Sequence, residues 1–151
     1  MGPYSPSIDP ANFVRTVDNR YFPLEPGTRF HYVGQKGKTR QTDDMVVTHR
    51  TKRILGDQVH GRPRHSVRAL HAGRADLRLV RGQALDQARV LGRRGSLTVP
   101  DGTFRRVLTT IEWSPTEPQF EKKTYACGVG EIAERVVQGG HEQFKLVSVT
   151  R

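Results

Sequence analysis

The sequence lacks aromatic residues where a packed domain ordinarily needs them: from Val33 to Thr103 there is no Phe, Tyr or Trp. Single-stranded nucleic acid is held largely by stacking bases on aromatic rings, so this span offers nothing to that mode of readout. Cysteine is nearly absent too, and a lone Cys127 excludes an internal disulfide or a thiolate zinc cluster. No apolar run approaches the roughly eighteen residues of a membrane-spanning helix. The opening MGPYSPSIDP has neither the charged nor the apolar region of a secretory leader. Hydrophobic residues make up only 34% of the 151, which allows one domain with modest burial.

Arginine is abundant. It outnumbers lysine 19 to 6, so the net charge of +10 is carried mostly by guanidinium, a group that stays protonated and pairs well with phosphate or carboxylate. From Asp57 to Arg94 nine arginines face three aspartates, a local +6. Arg62, Arg64, Arg68, Arg74, Arg78, Arg81, Arg93 and Arg94 are therefore the candidate contacts for a polyanion such as nucleic acid. Gly56 to Gln83 holds neither a helical nor a strand period, and low order is expected across 56–83.

Outside that stretch the pattern is β. Asp9 and Pro10 cap a short helix with Phe13, Val14 and Val17 on one face. Thr28 to Val33 then alternates Phe30 and Tyr32 against Arg29 and His31, a half-buried strand. Gly34 to Thr42 reads as the turn that follows, and Met45 to Leu55 as the returning strand. Ala84 to Leu91 suits a helical turn or a strand equally. Pro100-Asp101-Gly102 turns the chain into Phe104–Trp113; strands at Gln119–Ala126, Glu131–Val137 and Glu142–Thr150 follow, split by Gly128, Gly130, Gly139 and Gly140. Short connections of this kind make an antiparallel meander or an incomplete β-barrel, with 1–151 forming a single β-rich domain.

Motifs with chemistry are few. Gly37-Lys38-Thr39 lacks the preceding glycine of a phosphate-binding loop, since Tyr32 stands there, and a hairpin turn is the better reading. Gly128-Val129-Gly130 lacks the third glycine of a dinucleotide fingerprint and suits a sharp strand connection. Nothing local places His31, His49 or His141 beside Cys127, and the six histidines show no metal-ligand spacing. Glu131 and Glu134 are an odd number of residues apart, so a regular strand puts them on opposite faces, where they cannot work as a paired acid and base. No catalytic, cofactor or metal set emerges. An enzyme reading requires a cavity lined by Phe30, Tyr32, Trp113 and Tyr125 that would take a small apolar ligand.

Taken in order, YFPLEPGTRFHYVG, VVTHRTKRILG, SLTVPDGTFRRVLTTIEWSPTEP and KTYACGVGEIAERV resemble a group of uncharacterised secreted or lipoprotein-like bacterial proteins. Their marks are an FPLxPGT opening strand, a VPxGxF turn and a YAPGVG turn. The resemblance spans residues 4–55 and 82–149, and it implies an extracytoplasmic, envelope-associated β-domain with no established reaction. Cys127 stands where that group has proline, and Gly56 to Arg81 departs from it altogether. Read one nucleotide later, the codons of Arg74–Arg81 permit Glu-Leu-Thr-Tyr-Asp-Trp-Tyr-Ala, the aromatic kind of string the group carries there. An internally deleted, off-frame copy accounts at once for the arginine and for the lost aromatics. Such a copy is expected to expose strand edges and to self-associate.

Overall fold

The computed structural model describes residues 17, 19–54, 57–60, 63–65, 87–114 and 117–151. Its strands in chain order are β1 (Arg29–Lys36), β2 (Thr39–Val47), β3 (Thr51–Ile54), β4 (Asp57–His60), β5 (Pro63–His65), β6 (Gln87–Val99), β7 (Gly102–Ser114), β8 (Glu117–Ala126), β9 (Gly130–Gln138) and β10 (Glu142–Thr150). Eight of them form one antiparallel sheet in the order β5-β2-β1-β10-β9-β8-β7-β6, and β3 pairs with β4 alone. The fold is thus mainly β; β7 to β10 are the expected meander, β6 extends it at one side, and β1 docks onto its last strand. The sheet is open, with β5 and β6 at its edges, and is not a closed barrel. The anticipated N-terminal helix lies outside the described residues. Within 56–83, β4 and β5 are the described residues.

The early strands differ from expectation: the returning strand placed at Met45 to Leu55 is instead β2, which runs from Thr39 and stops at Val47, while Thr51–Ile54 pairs separately with β4. The first turn is only Gly37-Lys38, because Lys36 already pairs with Thr39 and Gly37 takes a left-handed φ of 59°. A two-residue turn of that kind zips the polar run after Thr39 directly onto β1. Alternation alone could not show this, since that run has no apolar face until Met45 and Val47, both buried. Ala84–Leu91 resolves as strand from Gln87 onward.

Bulges then decide which side chains face the core. On β10 the register passes from His31↔Ser148 to Tyr32↔Leu146, leaving Val147 as the extra residue. That shift lets Val149 pack against the core alongside Phe144 and Leu146, although strict alternation separates them. In the β6–β7 hairpin, Arg106 adopts φ 54° where the register slips between Gly95 and Ser96. The bent tip reaches back so that the Asp101 N–H donates to the Leu146 carbonyl at 3.2 Å. Val99 and Val107 are buried with Phe30, Met45 and Ile132 as a result. The open sheet thereby encloses its own core by curling.

Candidate functional site

The motif-bearing segments meet at one end of the sheet. Phe22, in the approach to β1, meets Tyr125 of β8 edge to face, with ring centroids 6.2 Å apart. The Gly128 N–H donates to the Arg20 carbonyl at 2.9 Å, and the Arg151 guanidinium donates to the Gly128 carbonyl. Gly130 has φ 122°, and a Cβ added there would touch the rings of Phe22 and Phe30 at 3.6 Å. Turn geometry and close packing therefore account for these glycines. Cys127 is exposed at this turn. His31 instead bonds Asp44 at 2.7 Å, and His49 packs beside Gly27.

A second feature has no counterpart in the sequence reading. Between Thr124↔Ala133 and Tyr125↔Glu131 the β8–β9 register skips Ile132. This bulge brings Glu131 and Glu134 onto one face, with Lys123 and Tyr125 of β8, and so corrects the opposite-face expectation. All but Tyr125 are buried. Glu112 and Thr110 join from β7, and Glu121 from the same face of β8.

Lys123 is the centre of this layer. Its ammonium lies 3.1 Å from Glu112 Oε2, 3.4 Å from Glu121 Oε2 and 3.7 Å from Glu134 Oε2. Burial alone would lower its pKa, but Glu131, Glu134, Glu112 and Glu121 outweigh that cost and hold the ammonium above the ordinary lysine value. Glu112 Oε1 also accepts from Tyr125 at 2.9 Å and from Thr110 at 2.8 Å. The Tyr125 phenol is pushed up by burial, then by Glu131 and Glu112. The Tyr32 hydroxyl donates to the Glu131 carbonyl at 3.0 Å, and burial followed by Glu131 and Asp43 pushes its pKa well up. An ammonium and two phenols locked in their protonated forms act as hydrogen-bond donors. They are not bases or nucleophiles at neutral pH.

The aromatic residues singled out from the sequence divide accordingly. Phe30 and Tyr32 stack with centroids 6.4 Å apart and are buried in the core. Tyr32 and Tyr125 both flank Glu131. Trp113 pairs with Phe120, the two rings stacked at 5.9 Å. The unbroken β7–β8 register puts that pair on the face opposite Tyr125, so the four do not line one cavity. Among the described residues, open hollows lie elsewhere, such as one beside Gly34 and Lys145 and another at the Gly139-Gly140 turn. Of the candidate polyanion contacts, Arg93 and Arg94 are exposed on β6, and the Arg64 backbone pairs with Val46. Arg62, Arg68, Arg74, Arg78 and Arg81 lie outside the described residues. No cluster of three or more His, Cys, Asp or Glu among the described residues is arranged to hold a metal ion.

No family model matches the chain, and no curated protein matches it. Two crystal structures are similar to it. One is a candidate lipoprotein from Parabacteroides distasonis, at a TM-score of 0.46 and 9% identity over 86% of this chain and 98% of that one. The other is a candidate exported protein with a YmcC-like fold from Bacteroides fragilis, at a TM-score of 0.44 and 8% identity over 87% of this chain and 99% of that one.

Proposed function

We propose that this chain is a non-catalytic binding domain of the extracytoplasmic, envelope-associated kind, in a copy altered between Gly56 and Arg81. The observation that carries the non-catalytic reading is the Lys123 layer, whose ammonium lies within 3.1–3.7 Å of three glutamate carboxylates. A lysine held as an ammonium by buried carboxylates serves as a fixed charge and hydrogen-bond donor in the fold and not as a base for a substrate. The resemblance of the chain's motifs to those of secreted and lipoprotein-like proteins supports the same reading. The motif residues Phe22, Gly128 and Gly130 are used in packing and turns.

Sedimentation with purified, nuclease-treated bacterial envelope tests the reading. The chain is expected to pellet with the envelope and to stay there as salt rises through the range that releases phosphate-bound basic proteins from nucleic acid. A chain that remains in the supernatant, or pellets only when nucleic acid is present, overturns it. The altered middle has its own check in the nucleotide sequence. If the shifted codons do not spell aromatic strands, the off-frame account fails.

A further inference from the structure

The arginine-rich middle carries a local +6 of the +10 charge, yet an open hollow outside that stretch is also lined by three cations. The hollow beside Gly34 is about 390 Å³ and is formed by β1, β2, their connecting turn and β10, with Val33, Gln35, Lys38, Arg40, Gln143 and Lys145 around it. The register explains why these residues converge. Arg40 pairs with Gln35, Gln35 pairs with Gln143, and Val33 pairs with Lys145, so three adjacent strands present two neighbouring cross-strand rows. Lys38, from the turn, joins them at the rim.

Three cations and two side-chain amides thus surround the hollow, and no carboxylate lines it. Glu142, the nearest acidic residue along β10, is taken up in an ion pair with Lys36. Among the described residues, none of Lys38, Arg40 and Lys145 is held in an ion pair. A group of cations left unneutralised around one concavity, with amide donors between them, matches a doubly charged oxyanion.

We propose that this hollow is a binding site for a phosphate-bearing ligand, with Lys38, Arg40 and Lys145 neutralising its charge and Gln35 and Gln143 donating to its oxygens. The site goes beyond envelope association: it can bind a soluble phosphate compound whether or not the chain pellets with envelope. Open on one side, it leaves room for the group attached to the phosphate, which can be a soluble metabolite or a lipid headgroup.

Titration calorimetry with inorganic pyrophosphate, and flotation with phosphatidylglycerol or phosphatidylcholine vesicles, test the proposal and distinguish the two sources. The variant K38Q/R40Q/K145Q is expected to bind pyrophosphate at least about tenfold more weakly than the parent, about 1.4 kcal/mol. A control, R29Q/R105Q/R135Q, removes the same charge from exposed positions elsewhere and is expected to bind within about twofold of the parent. Loss of phosphatidylglycerol binding in the first variant alone identifies the lipid as a source, and binding of pyrophosphate without either vesicle identifies a soluble one. Equal weakening by both variants shows that binding follows total charge and overturns the site. Absence of pyrophosphate binding by the parent overturns it as well, as does an oligonucleotide that binds the first variant and the parent alike while displacing pyrophosphate from the parent.

Discussion

Replacing Lys123 with methionine keeps an apolar stem of similar length and removes the ammonium from among Glu112, Glu121 and Glu134, which lie 3.1, 3.4 and 3.7 Å away. At an effective dielectric of about 20, charges at those separations attract by roughly 4–5 kcal/mol each. Desolvation and repulsion among the carboxylates offset most of this. Stripping one partner from a buried charge pair costs about 3–5 kcal/mol net, against about 5–15 kcal/mol for a whole domain. Melting is then expected to fall by roughly 10 °C. The pH dependence separates charge from packing. Without the ammonium, crowded carboxylates bind protons more readily in the folded state than in the unfolded one. The folded state then holds the extra protons, so the penalty shrinks as pH falls through the carboxylate range, between about pH 6 and pH 4. Urea melts of both proteins across that range are the assay, with exposed Lys122 replaced by methionine as the control, expected within about 0.5 kcal/mol of the parent. A K123M protein as stable as the parent at neutral pH, or a deficit that acid leaves unchanged, would refute the reasoning.

Gly34→Ala is expected to destabilise by about 1–3 kcal/mol, because the new Cβ would run into the Gln143 carbonyl and the Phe144 ring; a neutral result in urea melts contradicts that packing. Arg106→Gly relieves a left-handed backbone at φ 54° and is expected to add about 1 kcal/mol, with destabilisation arguing against the bend at that residue. Alkaline stability follows from the raised Tyr32, Tyr125 and Lys123 values. Groups whose folded pKa lies above the unfolded one contribute fully below the unfolded value and lose that contribution above it, so stability should hold to about pH 10 and fall beyond it. Ultraviolet titration should accordingly show two of the four tyrosines ionising only as the chain unfolds.

The strands from Gly102 to Thr150 are legible because glycine-bearing turns punctuate alternating runs, and a meander needs only local pairing. Single-residue bulges are not legible. The slip past Ile132 gathers Glu131 and Glu134 around Lys123, and the slip past Val147 turns Val149 inward. Each reverses an alternation argument that holds only for a regular strand. Trp113 illustrates the complementary limit: residue type groups it with Tyr125, whereas strand parity, readable in principle from Phe120 and Tyr125, sets it on the other face. The basic hollow depends on β1 lying between β2 and β10. Pairing across more than a hundred residues leaves no local mark.

The most direct test of the non-catalytic reading is the protonation state of Lys123 itself, followed by nitrogen-edited NMR of the lysine side chains as pH is raised. The paired layer predicts a Lys123 ammonium that persists from neutral pH until the chain unfolds in alkali, with a signal protected from exchange with water. A Lys123 that becomes a neutral amine near neutral pH would contradict the account, for it would supply the buried base that an enzyme needs.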